Sequence, residues 1–208
     1  MNTNKARRRD READLWESAD TFDAVCDLTA KWIEGDLIYH PGCLADTVDD
    51  ETLPIRDTLA ALNRAGWLTY SSEPADSGDD LYLSTGLPWR CRATVFGWIA
   101  EPRLVYLLAD VCRSYGLWMV TAPAEYGTIT DGHYWTLEAD GQPMDVQHAD
   151  ALEAPGREDI FFPHPAAVGE VLGATWVRVI DPDFEGGSMW RALDTVATIR
   201  SKARWVTA

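Results

Sequence analysis

The run DVQHAD, residues 145–150, gathers Asp145, His148 and Asp150. Two carboxylates and an imidazole this close suit two chemistries. They can hold a divalent cation, or an aspartate can orient a histidine that acts as general base. Asp140–Gly141 is a strong hairpin turn just upstream, and it would bring His133 across from the group. Asp145, His148 and His133 are therefore the catalytic candidates. Their spacing matches no defined ligand set, and exposed polar positions on a hairpin explain it equally well.

A second group lies in LAALNRAGWLTYSSEP, residues 59–74. Asn63, Arg64, Ser72 and Glu73 could line a polar pocket, with Arg64 offering a forked cation to a carboxylate or phosphate. His40, before Pro41, could join them. The competing reading is a joint between elements: Asn63 and Arg64 satisfy the last carbonyls of a helix, and Gly66 supplies the left-handed turn that ends it. A third group, Asp181, Asp183, Glu185 and Gly186, imitates the first half of a calcium loop. The twelfth position is Ala192, so the bidentate carboxylate is missing. Acids there favour the dipole of a helix beginning near Ser188. Asp181 nonetheless follows a strand, where open α/β sheets place ligands, and completes the ligand-binding candidates Asn63, Arg64, Ser72, Glu73 and Asp181.

Other chemistry is not supported. There is no G-x-x-x-x-G-K-[ST], G-x-G-x-x-G, G-x-S-x-G or H-E-x-x-H. Cys26, Cys43, Cys91 and Cys112 form no C-x-x-C, and three of them sit among apolar neighbours, which suits reduced thiols in a cytoplasmic protein. No metal and no cofactor is expected.

These residues must be positioned by regular elements. A helix is predicted over 21–34, with Thr21 or Asp20 as cap and Gly35 as stop, and a second over about 52–65. Strands follow at 67–71 and 89–99, the latter with Cys91, Ala93 and Val95 on one side and Arg90, Arg92 and Thr94 on the other. Residues 73–88 read as a long acidic connection. A helix from Glu101–Pro102 to Gly116 and a strand at 117–122 complete a strand–helix–strand unit, expected parallel and right-handed. The hairpin 133–147, a short helix at Pro165, a strand at 175–180 and a last helix from Ser188 follow. The fold class is α/β, with α+β as the variant: a mixed sheet with at least one βαβ unit and helices packed on it. Residues 1–11 are expected to be a disordered basic tail and 12–208 a single domain.

The 208 residues carry a net charge of −16, and residues 10–80 hold 18 acids against four bases. Such a field repels phosphate backbones, so no nucleic-acid partner is expected. No apolar run reaches the ~18–20 residues of a membrane span, and the basic N-terminus leads into acid rather than a signal sequence's apolar stretch.

TFDAVCDLTAKWIEGDL, LAALNRAGWLTYSSEP and VRVIDPDFEGGSMWRALD together resemble a family of uncharacterised proteins common in streptomycetes and other actinobacteria. The Ala-, Asp- and Arg-rich, lysine-poor composition agrees with a GC-rich host. The chain departs from the family pattern at Glu73 and Ala75, where that pattern has Gln and Gly. The resemblance implies a fold and a lineage but carries no catalytic residue. The functional expectation is a protein that binds a small polar or anionic ligand near Arg64, Ser72 and Asp181. The alternative is a non-enzymatic interaction or inhibitor protein, of host or phage origin, whose acidic surface meets a basic protein partner.

Overall fold

The computed structural model describes residues 3–76, 86, 88–129 and 132–204, with the side chains of 203 and 204 excepted. Most of the acidic connection at 73–88 lies outside the described residues. In chain order the elements are α1 Thr3–Ser18, α2 Phe22–Glu34, α3 Arg56–Ala65, β1 Trp67–Glu73, β2 Trp89–Cys91, β3 Thr94–Ile99, α4 Pro102–Tyr115 and β4 Trp118–Ala122. The small strands β5 His133–Tyr134, β6 Leu137–Ala139, β7 Gln142–Met144 and β8 Gln147–His148 come next, then α5 Pro165–Leu172, β9 Thr175–Ile180 and α6 Gly187–Arg204.

The expected mixture of helices packed on sheets is what the chain forms, on the α+β side of that expectation. The main sheet has the order β1-β3-β9-β4. β3 and β4 run in the same direction on either side of α4, but β9 lies between them and pairs antiparallel with both. The strand–helix–strand unit is thus split by the chain's last strand. Strand alternation puts Val95, Ile99, Val177, Val179 and Met119 on one face, in one apolar cluster with Leu104 and Leu108 of α4 and Met189 and Leu193 of α6. The opposite face carries Phe96, Trp98, Trp176, Arg178, Val120 and Ile180. Tyr134, Ala149 and Leu152 cover its β4 side. Its β1 side is where the cavity lies.

Two expectations change. Residues 3–11 are not a disordered tail but the first half of α1. The basic run is neutralised by the acid-rich chain that follows it. Arg8 donates to Glu12 and to the Asp36 carbonyl, both at 2.7 Å, and Lys5 and Arg9 both pair with Asp46. Glu12 is itself buried and accepts from the Ile38 and Tyr39 amides, while Trp16 anchors the helix in the core. Second, the single strand expected at 89–99 is two strands in different sheets, broken at Arg92–Ala93. Arg92 faces inward, only 5% exposed. Its guanidinium donates to the Pro182 carbonyl at 2.9 Å and the Trp135 carbonyl at 3.0 Å, among the rings of Trp118, Trp135 and Phe184. A buried guanidinium needs several acceptors at once, and the chain leaves the ladder to supply them.

Candidate functional site

A cavity of about 390 Å³ opens at the β1 edge of the main sheet. α2 contributes Thr29, Trp32 and Ile33. The segment between α2 and α3 adds His40, Cys43, Asp49 and Thr52. β1 adds Leu68 to Ser72, β3 adds Trp98, and residues 159–162 close the far side with Asp159, Phe161 and Phe162.

Local sequence explains each wall. Thr21 caps α2 by accepting from the Ala24 amide, and Gly35 stops it at φ 86°, so Trp32 and Ile33 sit in the last turn facing the sheet. The β1–β3 register shifts between Thr69 and Ser71, leaving Tyr70 outside the ladder. Gly97 makes this bulge feasible. A Cβ there would lie 2.0 Å from the Leu68 carbonyl oxygen and 2.8 Å from Thr69 Cα. The bulge turns Tyr70 onto a row of rings: edge-on to Trp98 at 5.3 Å, with Trp176 at 6.0 Å and Phe96 at 6.1 Å.

His40 is enclosed by the rings of Trp16 and Trp32, each 4.9 Å away, and Phe162 at 6.0 Å. Its Nδ1 accepts from the Gly42 amide at 3.1 Å. Burial pushes its pKa down to about 4, so the imidazole is neutral at physiological pH. The Cys43 thiol is pushed up, by burial first and then by Asp49, and stays protonated rather than nucleophilic. Glu73, at the end of β1, has its carboxyl raised by burial and by the nearby Glu51 and Asp76. Trp32 is buried, and its indole N–H has no acceptor among the described residues.

A shallower groove of about 530 Å³ continues over the sheet from Tyr70 and Asp159, which line both spaces. Phe96, Trp176, Arg178, His148 and Glu153 line it. The Arg178 guanidinium rests 4.7 Å from the Phe96 ring and reaches Gln147 Oε1 at 3.4 Å.

The residues expected to bind ligand do not converge. Ser72 lines the cavity and Glu73 follows it on β1. Asn63 is fully buried and structural in its bonds: its amide donates to the Leu59 carbonyl at 2.9 Å and Thr69 Oγ1 at 2.7 Å, and its oxygen accepts from the Thr69 amide. It ties the end of α3 to β1. Arg64 makes a two-pronged pair with Glu34 at a separate depression beside α2. Asp181 is 1% exposed and organises the start of α6, accepting from Ser188 Oγ at 2.5 Å and the Met189 amide at 3.1 Å, as well as from the Asp183 amide.

The hairpin group is closer to its expected arrangement. His133 pairs with His148 across β5 and β8, their rings 4.6 Å apart and nearly perpendicular, and His148 Nδ1 contacts Asp150. Asp145 is exposed in a positive-φ turn at the end of β7. Among the described residues no three or more His, Cys, Asp or Glu side chains are placed to hold a metal ion. No helix of the described residues is long and apolar enough to cross a membrane.

Sequence reasoning missed the aromatic wall itself. Trp32, Trp98, Tyr70 and Phe162 read as core residues on separate elements, and only the bulge at Tyr70 and the fold of 159–162 bring them to one space. The one available signal was Gly97 inside an otherwise apolar strand, which marks a close backbone approach.

The chain is thus a mixed α+β protein with a ligand-sized aromatic cavity at the edge of its main sheet. Residues 11–144 match the family described as a domain of unknown function, DUF6919, and the chain belongs to that family. The matched region includes α2, β1 and Trp98, but not the 159–162 wall or Arg178. No curated protein matches the chain.

Proposed function

We propose that this protein binds a small organic molecule whose apolar or aromatic body fills the cavity between α2, β1 and residues 159–162. The observation that carries this reading is the cavity's size and lining together. A volume of about 390 Å³ falls within the ~300–1,000 Å³ of ligand pockets, and its walls combine the rings of Trp32, Tyr70, Trp98, Phe161 and Phe162 with aliphatic side chains and the hydroxyl residues Thr29, Thr52, Thr69, Ser71 and Ser72. The neutral His40 and the protonated Cys43 favour binding over covalent catalysis. Of the residues expected to hold the ligand, Ser72 keeps a role here, and the site sits on the sheet edge rather than beside Arg64 and Asp181.

The test is a screen of small aromatic fragments followed by protein NMR of the tryptophan indole signals, assigned by single substitutions. Fragments should move the Trp32 and Trp98 resonances. Fragments that bind while moving only signals remote from these two, or a screen with no binder, would refute the reading.

A further inference from the structure

The cavity has a charge character as well as a shape. Its lining includes two carboxylates, Asp49 and Asp159, and no lysine or arginine among the described residues. We infer that the ligand is an organic cation, an amine or quaternary ammonium carried on an apolar body, held between the rings of Tyr70, Trp98 and Phe161 and the carboxylates of Asp49 and Asp159. This rests on the binding function proposed above and specifies its ligand class.

Further observations support it. The lining includes the aromatic residues Trp32, Tyr70, Trp98, Phe161 and Phe162, and aromatic rings attract a cation at their faces and are indifferent or repulsive to an anion there. Asp49, Glu51, Glu73 and Asp159 take part in no ion pair among the described residues, although acids elsewhere, such as Glu12, Glu34, Asp46 and Glu138, are paired. Glu73 feels this concentration as well: its carboxyl is raised by burial first and then by Glu51, Asp76 and Asp49. An approaching cation relieves that repulsion. The one buried imidazole at the site, His40, is neutral and brings no opposing charge. Two guanidiniums close to the lining in sequence or space are engaged elsewhere: Arg157 donates to the Ile160 carbonyl at 2.9 Å, and Arg178 lies over Phe96 in the adjoining groove. The net charge of −16 extends the same preference to long range and would raise the local concentration of cations.

Three probes with one phenyl body and different charges test this: phenethylamine, 2-phenylethanol and phenylacetate, titrated into the full chain by calorimetry. The amine should bind about tenfold tighter than the alcohol, the carboxylate weakest, and the preference should shrink as salt is raised. The double variant Asp49→Asn/Asp159→Asn should abolish the preference while leaving affinity for 2-phenylethanol unchanged, which also reports an intact cavity. Asparagine at 159 can still accept from the Gly156 amide, as the carboxylate does at 3.0 Å. Equal affinity for amine and alcohol, or tightest binding of phenylacetate, would overturn the cation assignment and leave the binding function standing. An amine preference that survives the double variant would overturn the role of the two aspartates. Failure of all three phenyl probes, together with an empty fragment screen, would remove both the inference and the reading beneath it.

Discussion

His40 makes the stability of this protein depend on pH in a direction opposite to that of a salt-bridged histidine. In the folded chain its pKa is pushed down to about 4 by burial among Trp16, Trp32 and Phe162. In the unfolded chain it takes the ordinary value of ~6.5. The depressed value means the unfolded state binds the proton first. Stability is therefore full above about pH 6.5, falls as pH drops from there toward about 4, and levels off below. A difference of about 2.5 pKa units corresponds to ~3 kcal/mol in total, of which ~2 kcal/mol is lost between about pH 7.5 and pH 5. Urea unfolding at those two values reads it directly. Glu73, raised by burial and its acidic neighbours, contributes with the opposite sign, because its protonation favours the folded state. The comparison that isolates His40 is therefore wild type against His40→Gln. Glutamine keeps an acceptor for the Gly42 amide but cannot charge. It should lower stability at both pH values through lost ring packing and reduce the difference between them by ~2 kcal/mol. If variant and wild type lose the same stability between the two pH values, His40 is not held neutral in the fold, and the closed aromatic wall inferred around it is wrong.

Other consequences follow from the same geometry. Gly97→Ala must displace the Leu68 carbonyl or break the Tyr70 bulge, because the new methyl would lie 2.0 Å from that oxygen; a loss of about 3 kcal/mol or more is expected in urea melts, with altered Trp98 fluorescence. Asp181→Ala removes the acceptor for Ser188, Met189 and Asp183 and should cost ~2 kcal/mol, whereas Asp181→Asn should cost less and neither change should alter binding of a cavity probe beyond the stability effect. Arg64→Ala breaks an exposed pair with Glu34 and should cost under ~1 kcal/mol by thermal unfolding, with no effect on phenethylamine affinity.

The elements were legible where a local rule decides them. Thr21 and Gly35 bound α2, Gly66 ends α3, Gly116 ends α4, and Asp140–Gly141 turns β6 into β7 with positive φ at both residues. Each depends on neighbours in sequence. What stayed hidden depends on partners distant in sequence. Nothing near β3 announces that β9, some eighty positions later, inserts beside it. Arg92 alternates with apolar residues and so reads as a solvent-facing position, yet its acceptors come from residues 135 and 182. Arg64 drew attention as a scarce cation in an acidic half, but scarcity made it the partner of Glu34 instead of a free clamp. Asp181 was read twice, as a ligand residue and as a helix-favouring acid, and its hydrogen bonds belong to the second reading.

The acidic composition by itself identifies no partner. The structure divides the acids into those with partners and those without. Glu12 of α1 and Asp27 and Glu34 of α2 pair with Arg8, Lys31 and Arg64, and Asp46 in the following segment pairs with Lys5 and Arg9, which fixes these helices in place. Asp49 in the cavity lining, with Glu51 and Glu73 close to it in sequence or along β1, takes part in no ion pair among the described residues, nor do those two, and burial together with its acidic neighbours holds the Glu73 carboxyl above its ordinary range. An uncompensated cluster is unfavourable to the fold, since like charges brought together destabilise the compact state. Solubility alone would be served equally by dispersing the same acids over the surface. The cationic ligand proposed above would account for their position beside a cavity whose lining, among the described residues, holds no lysine or arginine.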